Sequence, residues 1–536
     1  MFDFSADEYP YASQRQSVFA PRGMVAASQP LAAEAGIEML RKGGNAIDAA
    51  IASAAALTVV EPTGCGIGGD AFALVWSQGR LHGLDASGHA PQALTLDAVR
   101  AAGHDRMPAY GWTPVTVPGC PAAWAELSAR FGRLPFADLL QPAIDLAAEG
   151  FPVSPVIARQ WQRALETFGA QRQPALEAWF DTYLIDGRAP RAGEPFRNPA
   201  QAETLAELAA SGCESFYRGA LAERLDAHSR ASGGYLRASD LQDYRPRWVE
   251  PIGVNYRGVD VWEIPPSGQG LIALMTLKIL EGFAFEQRDS LGTWHRQLEA
   301  MKLAYADGLQ HITDAAHMRV AVAELLGADY AARRRGSIGA RAATPAAGDP
   351  QASGTVYLAS ADGEGNMVSF IQSNYGGFGS GVVLPDSGIA LQNRGQEFSL
   401  DPGHVNCLAP GKKTFHTIIP GFLSKQGHPL GPFGVMGGYM QPQGHVQMVM
   451  NLVDFGLNPQ AALDAPRWQW LGGLRVGVEQ ATPRDLALAL ARRGHRIEVA
   501  HDSLDYGRGQ IILRDAESGV LCGGTEPRAD AHIAVW

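Results

Sequence analysis

The stretch GTVYLASADGEGNMVSFIQS, residues 354–373, constrains the fold more than any other part of the chain. Two runs of β-formers flank a Gly-rich turn at 362–366, which predicts a hairpin. Its first strand follows GSIGARAATPAAGDPQAS, residues 336–353, where Gly, Ala, Pro and Ser dominate and the apolar residues have no period. That composition predicts a mobile linker. A strand that begins where a linker ends, with Gly354 before Thr355, is either an ordinary strand start or a chain end waiting to be released. Counting outward from residue 364 places Thr355 and Ser373 equally far from the turn, so the two hydroxyls should be cross-strand neighbours at the open end of the hairpin.

A Thr–Ser pair can be a plain sheet contact, but the context gives it chemistry. A Thr hydroxyl is a poor nucleophile at neutral pH, whereas a free α-amine, with a reference pKa of about 7.7–8, is a usable base. Cutting the Gly354–Thr355 bond would place both groups on one residue. Gly354 lets the preceding carbonyl turn toward the hydroxyl, and a mobile linker lets the released end depart. The chain would then divide into residues 1–354 and 355–536. A second stretch, GPFGVMGGYMQPQGH at 431–445, sets Gly437-Gly438 before a helix with Pro442 in its first turn. Successive glycine amides there can donate hydrogen bonds to a developing oxyanion.

Other chemistries are disfavoured. GCGIGGD at 64–70 has the Gly-x-Gly-x-x-Gly spacing, but a helix precedes it and a strand follows, the reverse of a phosphate-binding turn. Close backbone packing is the expected role of those glycines. GxSxG, SxxK and HExxH patterns are absent, and His311 and His317 are too far apart to form a one-face helical metal pair. No metal or organic cofactor is called for. A net charge of −11, with no basic run longer than Arg333-Arg334-Arg335, argues against nucleic acid and anionic membranes as partners. The acidic, polar amino terminus is unlike a secretory signal, and the apolar run Ala49–Val60 is too short to span a bilayer. Five scattered cysteines without CxxC spacing fit isolated thiols in a reducing, cytoplasmic setting.

A chain of 536 residues implies several domains or one large layered α/β unit. Helices are expected from Ser28-Pro30 to Gly43, from the Asn45 cap to Val60, within 121–132 and 294–309, and from about 442 and 483; the last should end at Gly494. Residues 120–335 read as mainly helical. A hairpin is expected in FALVW and RLHGLD around Ser77-Gln78-Gly79, and strands at 355–361, 367–373 and 414–422.

From GGNAIDAAIASAAALTVVEPTGCGIGGD through residues 353–399 to MGGYMQPQGH and NPQAALDAPRW, the chain resembles the γ-glutamyltransferases, or glutathione hydrolases, of the N-terminal-nucleophile hydrolase class. The resemblance implies a four-layer αββα sandwich and a proenzyme self-cleaved into a large and a small subunit that stay together. It implies Thr355 as nucleophile, Ser373 as its hydroxyl partner, and Gly437 and Gly438 as the oxyanion hole. The family's carboxylate-gripping Arg falls on Ser87, so that grip is missing. A Gln of the family falls on Arg394, its acidic companion on Glu397, a Ser-Ser pair on His416-Thr417, and an Asn on Tyr375. The segment between Glu397 and His416 is short for the lid loop of some members.

Arg394 offers a planar fork that matches a carboxylate bidentately. The expectation is an amidohydrolase for a small carboxylate-bearing amide, similar to the oxamate-amidohydrolase branch. Arg394 with Glu397 could instead hold a γ-glutamyl zwitterion, and an uncut, non-catalytic binding scaffold is the distant alternative. Whether processed units pair into a dimer stays open.

Overall fold

The computed structural model describes residues 15–171, 173–345 and 354–536. Two seven-stranded sheets form its centre, and every strand pair in them is antiparallel. The first runs His532–Val535, Gly23–Ala27, Gly354–Asp362, Met367–Tyr375, Asp70–Ser77, Arg80–Ala86, Arg247–Val249. The second runs Val18–Ala20, Leu521–Thr525, Arg508–Arg514, His428–Met436, Gly421–Lys425, Val259–Glu263, Ile252–Tyr256. They stack through the middle of each: a Cβ on Gly434 would lie 2.4 Å from the Tyr357 ring, so the glycine makes room for a tyrosine of the opposing sheet.

Helices cover both outer faces. Pro30–Arg41 and Ala46–Val60 pack on the first sheet, and Gly270–Leu280, Leu291–His311 and Gln441–Val453 cover the second. The result is the expected αββα sandwich. Ala46–Val60 is buried on every side, opened by an Asn45–Asp48 capping box, and its alanines let neighbouring backbone come close. Each fully buried Leu, Ile or Val of such a layer contributes about 1.5–3 kcal/mol. Ser28 does not cap the first helix. Gln29 does, because the Ser28 hydroxyl is spent on Glu61.

The segments on either side of Gly354 interleave. Residues before it and after it supply strands to both sheets, and Gly354–Asp362 lies between Gly23–Ala27 and Met367–Tyr375. A cut ahead of Thr355 would therefore leave two pieces of one hydrogen-bonded unit.

Residues 120–335 are mainly helical, as expected, and also hold the strands Arg247–Val249, Ile252–Tyr256 and Val259–Glu263. Two expectations are corrected. The strand expected at 414–422 begins only at Gly421. Upstream, the amides of Phe415, Ile418 and Ile419 are taken by the side chains of Asn406, His416 and Gln441 rather than by a neighbouring strand. The linker 336–353 is also shorter than expected. Gly336 ends the helix Ala328–Gly336, and residues 339–343 are docked: the Gly339 carbonyl faces His295, the Ala342 amide donates to Arg493, and Ala343 meets Glu299 and Lys302. Residues 346–353 lie outside the described residues.

Candidate active site

The hairpin places Thr355 and Ser373 as the count implies. Val356 pairs with Gln372, and a register shift between Gly354 and Val356 falls on Thr355. A bulge of this kind re-aims a side chain. Thr355 Oγ1 lies 3.2 Å from Ser373 Oγ, which also accepts the Tyr375 amide at 2.8 Å. Both hydroxyl residues are fully buried.

Glycines of the 64–70 loop hold these strands together. A Cβ on Gly64 would come 3.0 Å from the Thr355 carbonyl oxygen, one on Gly69 2.5 Å from that of Ser373, and one on Gly68 2.4 Å from that of Ala390. The loop thus touches the strand that carries Thr355, its partner strand and the approach to Arg394, as close backbone packing requires.

Gly437 and Gly438 have φ of 131° and 56°, a conformation that favours glycine. The Gly437 carbonyl accepts the Met440 amide, and the Gly438 carbonyl accepts Gln269 Nε2 at 2.8 Å. Since trans peptide amides point opposite their carbonyls, the Gly438 and Tyr439 N–H groups face the other way. Gly437 and Tyr439 line a cleft of about 1060 Å³, together with Tyr375, Glu397 and Arg508.

Under that cleft lies a cluster of buried charges. Arg394, in the turn Arg394–Glu397, is fully buried. Its Nη1 donates to Thr417 Oγ1 at 2.6 Å, and its guanidinium sits 4.5 Å from the centre of the Tyr375 ring. Nε lies 3.5 Å from Asp70 Oδ2, outside hydrogen-bond alignment, and neither Nε nor Nη2 has an acceptor. His416 Nε2 is 2.6 Å from the same Asp70 oxygen. Burial works to raise the Asp70 carboxyl, but His416 and Arg394 outweigh it and hold it below the ordinary carboxylate range. Burial, aided by Arg394, pushes the His416 imidazole down.

Glu397 is brought to the cleft but is engaged. Tyr375 Oη donates to its Oε1 and Tyr439 Oη to its Oε2. Burial pushes its carboxyl up, against the pull of the two tyrosines and Arg394. Ser87, the position without the family Arg, turns to Asp85, which it meets at 2.6 Å beside Lys413.

Asp70 is the site residue that reading the sequence missed. It ends the GCGIGGD loop, and in register it lies directly across from Ser373. Thr355, Ser373 and Asp70 therefore form one row across three adjacent strands, with side chains on one face of the sheet. Marking Asp70 would have required knowing that the strand after this loop pairs with Met367–Tyr375.

His295, Glu299 and His495 also stand within metal-ligand distance of one another. Lys302 takes the place a cation would occupy, 2.7 Å from Glu299 Oε1 and 3.5 Å from His495 Nδ1.

The Gamma-glutamyltranspeptidase family model matches residues 32–536. The chain belongs to that family. Within it, the chain is 38% identical over 528 residues to the glutathione hydrolase-like YwrD proenzyme of Bacillus subtilis, covering 96% of this chain and 98% of the relative. Over the same length it is 38% identical to the oxamate amidohydrolase proenzyme of Klebsiella pneumoniae, with the same coverage. The solved structure of a cephalosporin acylase from Bacillus halodurans superposes with a TM-score of 0.97 at 58% identity, covering 100% of this chain and 99% of that one. The protein is thus an enzyme, a self-processing threonine amidohydrolase of the gamma-glutamyltranspeptidase family and not an inert scaffold. No helix among the described residues is long and apolar enough to cross a membrane.

Proposed function

We propose that the chain cleaves itself before Thr355 and then hydrolyses amides whose acyl part carries a carboxylate, oxamate being the smallest. Thr355 Oγ attacks the amide carbonyl while its own α-amine takes the hydroxyl proton, and Gly438 and its neighbours receive the oxyanion. Collapse breaks the C–N bond, and the amine returns the proton to the departing nitrogen, ammonia in the case of oxamate. Water then attacks the acyl ester, gives one proton to the amine and releases the acid, restoring Thr355. Ser373 holds the nucleophile, and Arg394 receives the carboxylate, with Thr417 fixing one arm of its guanidinium.

The observation that carries this reading is the Nε/Nη2 edge of Arg394, buried without an acceptor close to the row that holds Thr355. A buried guanidinium edge left unmatched is costly, and a carboxylate matches it with two parallel bonds. Glu397 fits the γ-glutamyl alternative less well, since both its oxygens already accept from tyrosines. A larger leaving amine, as in an acylase, is favoured by the cleft of about 1060 Å³, far more room than oxamate fills.

A substrate panel tests the reading: ammonia from oxamate, amine from glutathione, and amine from an oxalyl amide of a bulky amine. Either oxalyl substrate should exceed glutathione by at least ~10-fold in kcat/KM. Glutathione in front would overturn the carboxylate-acyl assignment.

A further inference from the structure

Beside the unmatched edge of Arg394 lies an unmatched acceptor. Asp70 Oδ1 is buried and has no hydrogen-bond partner, while its sister oxygen Oδ2 holds His416 and lies 3.5 Å from Arg394 Nε. Since the two oxygens of one carboxylate are about 2 Å apart, Oδ1 lies on the order of 6 Å or less from Arg394 Nε. Both residues are fully buried. A buried polar atom without a partner costs free energy, and here two unmatched donors and an unmatched acceptor sit on side chains that lie against one another.

We infer that Arg394 and Asp70 form a single two-part notch for a ligand that presents a carboxylate with an N–H donor next to it. The inference rests on the proposed role of Arg394 and adds what lies beside the carboxylate. Arg394 Nε and Nη2 take the carboxylate, and Asp70 Oδ1 accepts the N–H. Asp70 is ionised, so it also rejects a second negative charge at that point. Two chemistries supply such a donor, a neutral amide N–H and an α-ammonium. Both place the selecting carboxylate at Asp70 and leave Glu397 to the two tyrosines. Asp70 is then a specificity residue, and its link to His416 keeps the carboxylate plane fixed.

The test uses three ligands that resist turnover, titrated into processed enzyme and followed by melting temperature. N-carbamoylglycine carries a carboxylate and a neutral N–H, L-glutamate an α-carboxylate with an adjacent ammonium and a second carboxylate three carbons further along the chain, and malonate two carboxylates with no N–H. In the wild type one of the first two should bind at least ~10-fold more tightly than malonate, and which one leads identifies the donor. In Asp70→Asn the order should invert, malonate gaining ~10-fold or more while the leading ligand loses affinity. A wild type that prefers malonate overturns the notch, a result that needs no variant to fold. So does an Asp70→Asn enzyme that weakens all three equally, because Asp70 would then only position Arg394. If Arg394→Ala leaves all three unchanged, the carboxylate reading of Arg394 itself has failed. Loss of all three in Arg394→Ala with no inversion in Asp70→Asn rejects the notch alone.

Discussion

The protein has two buried ionic clusters built from the same parts, and they differ in one respect. Asp70, Arg394 and His416 combine a carboxylate, a cation and an imidazole beside the hairpin. Glu299, Lys302, His295 and His495 combine the same groups beside the docked segment 339–343. In the second cluster no side-chain atom is left unmatched, since Lys302 bridges Glu299 and the Ala343 carbonyl and His295 joins His495 to Gly339. In the first, Asp70 Oδ1 and two nitrogens of Arg394 have no partner. Buried charge alone therefore does not mark a site. Incomplete pairing separates these two clusters, because at an unmatched edge a ligand can gain what the protein has left unmade.

The largest expected effect tests whether the hairpin end is the reacting centre at all. Thr355→Ala should abolish cleavage and turnover, a loss on the order of 10⁴-fold or more. Wild-type protein should run as two fragments on a denaturing gel, the smaller one reading Thr-Val-Tyr-Leu from its amino end, and the variant as one band. Fully active, uncut wild-type enzyme would contradict the mechanism. Next comes Gly438→Val, which asks a β-branched residue to hold a φ of 56° and should lower turnover by about 10²–10³-fold with the fragments intact.

Arg394→Ala addresses the comparison directly. Cleavage should proceed while kcat/KM falls by about 30–1000-fold, equivalent to about 2–4 kcal/mol, on substrates with a carboxylate and little on neutral analogues. Arg394→Lys should restore only part, since an ammonium lacks the fork. Equal losses on charged and neutral substrates would make the first cluster as structural as the second.

The smallest effect belongs to the linker cluster. Burial, reinforced by the Lys302 ammonium, pushes the His495 imidazole down to about 3. Its folded pKa lies below the unfolded value near 6.5, so the unfolded chain binds the proton first. The stability it confers is present in full above about pH 6.5 and is lost as pH falls toward about 3. His495→Gln should flatten the fall of melting temperature over that range relative to wild type while kcat/KM stays unchanged. A parallel pH profile in the two proteins would show that His495 does not titrate with unfolding.

How much of this was legible from residues alone varied with sequence distance. Thr355 and Ser373 needed only the turn position and the two-residue period of a strand, both local. Gly437-Gly438 before Pro442 was equally local. The Asn45–Asp48 cap and the buried alanine helix followed from spacing within one segment. The docked part of the linker was missed because its partners, His295, Glu299, Lys302 and Arg493, are distant in sequence and a composition of Gly, Ala, Pro and Ser without an apolar period reads as freedom.

The sequence by itself determined the hairpin, its facing hydroxyls, the glycine pair and the glycine-packed loop, since each depends on neighbours within a few residues of one strand, turn or helix start. Only the tertiary structure decided that Asp70 belongs to the site. The pairing of Asp70–Ser77 with Met367–Tyr375 sets Asp70 across from Ser373, and His416, 346 positions from Asp70, reaches it from a segment held against Ser267–Gln269. Sheet order likewise decided that Arg394 is buried with one edge unmatched and that Glu397 is already held by two tyrosines. The physical reason is that local backbone preference sets which atoms a residue offers, whereas desolvation and pairing depend on which distant segments the layers press together.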